Sequence, residues 1–185
     1  MQLATTASTR CTLCVTQGRD QSVRRSLRAV DDAEAMVHHL YAALRAGDGD
    51  AMAACYASDA TFEDPAFGRL EGAEVGAMWR MLTSRSTGVQ VELSEVAVAG
   101  TTGTARWVAR YRFGPQQRPV VNDVRASFRF TPEGLVAEHR DRFDLARWGA
   151  QAMGPVQGVL GRTPLLGLLV RRTTRRQLDA FMSTT

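Results

Sequence analysis

Four consecutive segments, at residues 89–99, 103–113, 119–131 and 135–144, alternate their side chains with the two-residue period of a strand. The links between them, Gly100 to Thr102, Gly114 to Arg118 and Thr131 to Gly134, are short and rich in Gly and Pro. Links of that length join antiparallel neighbours, because a parallel pair needs a crossover of about a dozen residues or more. The second segment sets Trp107, Ala109, Tyr111 and Phe113 against Arg106, Val108, Arg110 and Arg112. The third sets Asn122, Val124, Ala126 and Phe128 against Asp123, Arg125, Ser127 and Arg129. Each strand thus has an apolar face and an Arg-bearing one, which specifies a sheet wet on one side and covered on the other.

The fourth segment departs from this pattern in an informative way. In Val136-Ala137-Glu138-His139-Arg140-Asp141-Arg142-Phe143-Asp144, strand period places Glu138, Arg140, Arg142 and Asp144 on the wet face. Ala137, His139, Asp141 and Phe143 fall on the other. An imidazole and a carboxylate are costly to bury unless they are paired or put to use. That face reads as the floor of a pocket.

The cover comes from earlier in the chain. Asp31 and Asp32 are placed to cap a helix with apolar positions Ala33, Met36, Val37, Leu40, Tyr41 and Leu44, and Gly47 stops it. A short helix is expected from Asp50 to about Ala57, turning Met52, Ala53 and Tyr56 inward. Ala60 to Pro65 reads as a strand ended by proline, which holds Asp64 in extended geometry at its terminus. A third helix, from about Glu71 to Thr83, presents Val75, Met78, Trp79 and Leu82. The fold class is therefore α+β: a cone-shaped, curved antiparallel sheet covered by N-terminal helices. Residues 1–30 lack sustained periodicity and are expected to be a loose or targeting leader, or a misassigned start, with the domain at 31–148. Residues 149–185 are expected to form a helical extension, broken at Gly154-Pro155, Gly161 and Pro164.

Charge narrows the partners. All 23 basic residues of this 185-residue chain are Arg. Residues 1–30 carry five Arg and one Asp, residues 31–144 carry 12 Arg against 17 acids, and residues 145–185 carry six Arg against one Asp. The folded part is mildly acidic and only the ends are basic, without the aromatic platforms of a nucleic-acid-binding surface. Arg171, Arg172, Arg175 and Arg176 beside Leu178, Phe181 and Met182 suit a helix packed on its own domain or on a second subunit, with an anionic membrane surface as the alternative. The apolar run Leu165 to Val170 is far too short to span a bilayer. Three cysteines do not make a disulfide framework, and Cys11-x-x-Cys14 has neither a preceding strand nor a second pair for zinc. His38 and His39 point about 100° apart on a helix and do not share a metal. A reducing, cytoplasmic setting without metal or cofactor is the simplest expectation.

The order helix, Gly47-Asp48, helix, Ala60-Thr61-Phe62-Glu63-Asp64-Pro65, helix, then four strands ending in Glu138-His139-Arg140-Asp141 resembles the nuclear transport factor 2-like superfamily, in its SnoaL-like and ketosteroid-isomerase-like branches. The resemblance covers about residues 31–148, and the tail resembles an extension found in some bacterial members. It implies a cystatin-like α+β barrel with a single pocket and, in many members, sheet-to-sheet homodimers. Activity is not implied with the fold, since the same cone hosts isomerases, cyclases, dehydratases, epoxide hydrolases and proteins without catalysis. Asp64 falls where ketosteroid isomerases keep a proton-transferring carboxylate, but Leu40 and Ala126 stand at their oxyanion donors, leaving Tyr41 or Tyr111 to supply a hydroxyl. His139 and Asp141 fall on the His-x-Asp pair of SnoaL-like cyclases. Arg140-Asp141-Arg142-Phe143-Asp144 is similar to a limonene-epoxide hydrolase run, although Arg106-Trp107-Val108-Ala109-Arg110 lacks the Asp that would complete it.

Two hypotheses follow. In the first, Asp141 is the base, His139 tunes or shares its proton and Asp64 is a second acid/base. The substrate is a small apolar carbonyl or polycyclic compound, held by Asn122, Tyr111, Trp107, Val124, Phe143 and Tyr41, and no cofactor takes part. In the second, the cone only holds a ligand, or the open sheet face dimerises.

Overall fold

The computed structural model describes residues 12–85, 88–154 and 164–184. It contains helices α1 (Thr12–Ala46), α2 (Gly49–Ala54) and α3 (Ala73–Arg85), the last two separated by strands β1 (Tyr56–Asp64) and β2 (Gly68–Glu71). Strands β3 (Gln90–Ala99), β4 (Thr102–Phe113), β5 (Arg118–Phe130) and β6 (Val136–Arg142) follow, then helices α4 (Leu145–Met153) and α5 (Pro164–Met182). The meander expected from strand period is thus present within a residue or two of each bound.

The start of the chain differs from expectation. Asp31 and Asp32 do not cap a helix; α1 runs through them from Thr12, and both are exposed in its middle. Nothing between residues 12 and 30 forbids this, since the stretch has no proline, and a helix needs no apolar stripe to be continuous in backbone. The Cys11 half of Cys11-x-x-Cys14 lies outside the described residues, as do Pro155 and Gly161 in the tail. Gly47 does end α1: at φ +70° it closes the helix, with its amide donating to Leu44 and that of Asp48 donating to Ala43. Asp48 then caps α2, accepting from Ala51 N at 2.8 Å. That helix stops at Ala54, so Tyr56 opens β1 instead of facing inward from a helix.

The six strands form one sheet in the order β2-β1-β6-β5-β4-β3. The short strand β2 was not anticipated; it turns back on β1 through Pro65-Ala66-Phe67, pairing Phe62 with Leu70. Strand β1 pairs parallel with β6, Phe62 opposite His139, and the long path from β2 to β5 supplies the crossover this requires. The register of β6 against β5 slips by one residue, with Val136 opposite Phe130 but Glu138 opposite Arg129. This bulge at Ala137 hands the inward place to Val136, which is buried while Ala137 is only half-buried. The inward row of β6 is therefore Val136, His139, Asp141.

The core lies between this concave face and the helices. From α1 come Val37, Leu40, Tyr41 and Leu44; from α3 come Val75, Met78, Trp79 and Met81; the sheet contributes Phe62, Trp107, Val124, Phe128 and Val136. Helices α2 and α3 cross closely enough that a Cβ on Gly49 would lie 2.6 Å from Arg80 Cα. Helix α5 begins with Pro164, where a missing N–H costs nothing, and buries Val170 and Leu178 in the same core. On the convex face, Arg106 makes a bidentate bond to Asp123 and reaches Glu95, Arg129 pairs with Glu138 and Arg140 with Glu63. Among the described residues, no helix is long and apolar enough to cross a membrane.

Candidate functional site

The floor of the cone carries a chain of buried polar groups drawn from four elements. Trp79 Nε1, on α3, donates to Tyr56 Oη at 3.0 Å. Tyr56 Oη, at the head of β1, lies 2.7 Å from His139 Nδ1, and His139 Nε2 lies 3.0 Å from Asp141 Oδ1. Trp107 Nε1, on β4, reaches the same carboxylate oxygen at a longer 3.4 Å. His139 is 2% exposed and Asp141 4%, the only charged or imidazole side chains buried among the described residues. Phe128, Phe62, Tyr56 and Trp79 enclose the imidazole, with ring centroids 4.4, 5.1, 6.1 and 6.3 Å from it.

Donor counting orders the protons along this chain. An indole nitrogen can only donate, so Tyr56 Oη accepts from Trp79; the Asp141 carboxylate can only accept, so in the neutral imidazole Nε2 donates to it and Nδ1 accepts from Tyr56 Oη. The ring hydrogen then belongs on Nε2, where it bonds the carboxylate. With that assignment the donors of Trp79, Tyr56, His139 and Trp107 each have an acceptor, and both imidazole nitrogens are engaged. The acid's other oxygen is not. Asp141 Oδ2 has no partner among the described residues, and the sole sealed, unpartnered side-chain atom among them is Tyr41 Oη. Oδ2 therefore borders space that a water molecule can enter.

Asp64 is held differently. The residue before Pro65 ends β1, and its Oδ1 accepts from Ala66 N at 2.9 Å and Phe67 N at 2.5 Å, an Asx-type turn. Burial is the main influence on its carboxyl, outweighing the two amides; Asp141 adds repulsion, Arg171 subtracts, and the group is lifted to about 7. Three tyrosines face the same interior. Burial first, then the charge of Asp141, pushes Tyr41 and Tyr56 well above the usual phenol range. Burial likewise raises Tyr111, against the hydrogen bond from Trp148 Nε1 at 2.8 Å. All three remain donors at neutral pH.

Of the residues picked out from sequence, His139, Asp141 and Trp107 are in direct contact, and the ring of Tyr41 lies 5.4 Å from that of Trp107. Val124, fully buried, lies opposite Trp107 across β4 and β5. Asn122 is opposite Ala109 on the same face, half-buried, with no side-chain hydrogen bond among the described residues. Tyr111 and Phe143 are half-buried and do not touch the His-Asp pair through any hydrogen bond. Sequence reading missed Tyr56 and Trp79 as site residues, treating both as apolar helix stripe. The available signal was that a buried Trp N–H or Tyr O–H seeks a partner. A depression of about 340 Å³ opens on the charged face among Thr61, Glu63, Arg69, Arg129, Glu138 and Arg140, with Phe128 and His139 also in its lining. Among the described residues, no group of three His, Cys, Asp or Glu is placed to hold a metal.

Comparison with known proteins follows the same outline. The family model for the SnoaL-like domain matches residues 37–139, ending two residues before Asp141. No curated protein matches the chain in sequence. Among solved structures, the epoxide hydrolase/cyclase-like enzyme SalBIII, described as having a role in pyran ring formation in the polyether salinomycin, is 18% identical with a TM-score of 0.55, over 61% of this chain and 91% of its own. A hypothetical protein of ketosteroid isomerase-like fold from Catenulispora acidiphila, solved with trimethylamine, is 20% identical with a TM-score of 0.58, over 65% and 93%. An LEH-like epoxide hydrolase of M. tuberculosis is 20% identical with a TM-score of 0.58, over 72% and 98%. At such identities the likeness is one of fold alone.

Proposed function

We infer the function from one premise: the chain belongs to the SnoaL-like domain family. The reading best supported is cofactor-free acid/base chemistry on a small apolar carbonyl or polycyclic compound held in the cone. A single observation carries it. Asp141 has one oxygen held by His139 and Trp107 and the other without a hydrogen-bond partner among the described residues, as a positioned base requires.

In this reading Asp141 Oδ2 takes a proton from a carbon next to the substrate carbonyl, and the electron pair moves onto the carbonyl oxygen. His139, oriented by Tyr56, holds the carboxylate in place and takes no proton from substrate itself. Tyr41 Oη, protonated, sealed and without a partner among the described residues, serves the enolate oxygen as donor only once the surrounding side chains open to admit the substrate. Asp64, poised near 7, returns a proton to another carbon in an isomerisation, to the new alkoxide in a ring closure, or to a departing hydroxyl in a dehydration. Epoxide opening, the activity named for SalBIII and the LEH-like hydrolase, is the alternative reading. It has less support in the site itself, where β4 turns Trp107 and Ala109 inward while Arg106 and Arg110 pair with Asp123 and Glu92 on the convex face. The homodimer is proposed on that convex face, where those charges are already matched within one chain.

Thermal-shift screening against hydrophobic polyketides, terpenoids and steroids finds the ligand class. The base is tested with 5-nitrobenzisoxazole, an apolar carbon acid that opens to a coloured phenolate when one proton is removed. Asp141→Asn is expected to lower kcat/KM at least about 100-fold with a nearly unchanged melting temperature. Normal turnover by that variant overturns the assignment. Ligand stabilisation without turnover of any compound supports a pocket that only holds its guest.

A further inference from the structure

Helix α5 lies outside residues 37–139, the part matched by the family model, yet it grips the site from beyond it. Thr174 Oγ1 lies nearest to Ala66 O, at 2.8 Å, with Val170 O and Arg171 O of its own helix both at 3.1 Å, and Arg171 Nε donates to Pro65 O at 3.3 Å. The Ala66 and Pro65 carbonyls belong to the turn whose amides, Ala66 N and Phe67 N, bind Asp64 Oδ1. One turn further along, Arg175 clamps Glu74 of α3 with two bonds of 3.0 and 2.8 Å, and Arg85 reaches Gln177. Leu178 is fully buried beneath them, so the helix is anchored on both sides of the turn. The side chain of Arg171 also passes within 3.6 Å of a Cβ built on Gly68, at the start of β2. Its terminal guanidinium nitrogens have no partner among the described residues.

We propose that α5 is a working part of the site, with Arg171 and Thr174 as positioning residues that fix the 65–67 turn and so the place and electrostatic setting of Asp64. This rests on the reading of Asp64 as the second acid/base, but the geometry is specific to this chain's extension. A helix that only packed would need Val170 and Leu178; it would not need a cation and a hydroxyl on the two carbonyls of this turn. The charged and titratable groups bearing on Asp64 are Asp141 from β6, Tyr111 from β4 and Arg171 from α5. Arg171 is the one cation among them and comes from outside the domain.

The test needs no substrate, so it can fail or succeed independently of the proposed chemistry. In the full-length protein with ¹³C-labelled aspartate, the Asp64 carboxyl is titrated by NMR while the His139 ring nitrogens report the intact core. Arg171→Gln is expected to move the Asp64 midpoint upward by about half a unit to one unit. Arg171→Lys, which keeps the charge, is expected to leave it near the parent value. Thr174→Val is expected to speed amide exchange at Ala66 and Phe67 about tenfold, with His139 signals unchanged. If Arg171→Gln leaves the midpoint in place and Thr174→Val leaves both amides as protected as before, α5 is packing alone and the proposal is wrong.

Discussion

Asp64 is where this fold should feel pH, and replacing it by Asn isolates the effect. The amide keeps an oxygen for the Ala66 and Phe67 N–H groups, so the turn survives while the titration disappears. Burial, with help from the charge of Asp141, lifts the carboxyl from 3.8 to about 7 despite the two amides and Arg171. The sign follows from the raised value. Below about pH 4 folded and unfolded chains both hold the proton; between there and about pH 7 only the fold keeps it, so stability falls as pH rises; above that both are ionised and the loss is complete. A lift of this size corresponds to about 4 kcal/mol, and because Asp64 is only part-buried, solvent screening reduces the expected figure to about 2 kcal/mol. Urea unfolding of parent and variant from pH 4.5 to 8.5 measures the difference, in which all other groups cancel. Asp64→Asn should gain about 2 kcal/mol on the parent across that window. Parallel curves, or a parent that gains on the variant with rising pH, would show that the carboxylate is stabilised by its turn and not penalised by burial.

Three further outcomes follow from the same geometry. Tyr41→Phe removes a sealed hydroxyl without a partner, so it should hold or raise stability by about 1 kcal/mol in chemical denaturation while slowing turnover; a loss of stability would mean the hydroxyl is bonded. Tyr56→Phe strands both Trp79 N–H and His139 Nδ1, and should cost about 2–4 kcal/mol. ¹⁵N spectra should then show His139 leaving the single Nε2–H form, and an unchanged spectrum would contradict the donor order. Gly49→Ala forces a methyl against the α3 backbone and should destabilise by about 1–3 kcal/mol in urea, with no change in Asp64 titration.

Period and punctuation carried most of the architecture. Alternation along residues 89–144, with Gly and Pro at the links, dictated the meander, because a side chain on a strand can face only one of two ways and short links allow only antiparallel return. Gly47 and Pro65 fixed ends for the same local reasons, a left-handed backbone and a restricted preceding residue. The His139 and Asp141 pair was legible because burying both groups is costly anywhere in a chain. What lay beyond local reading depends on partners distant in sequence. No nearest-neighbour rule shows that Ala137 bulges out and Val136 turns in, since that slip is settled by Phe130 on the next strand. Tyr56 and Trp79 were taken as apolar stripe, and only folding brings them to an imidazole 83 and 60 residues away. The grip of Arg171 and Thr174 on the Asp64 turn spans more than 100 residues. Local backbone preference is written in neighbouring residues and can be read there; the direction of a hydrogen bond between distant residues exists only once packing has brought donor and acceptor together and excluded water from both.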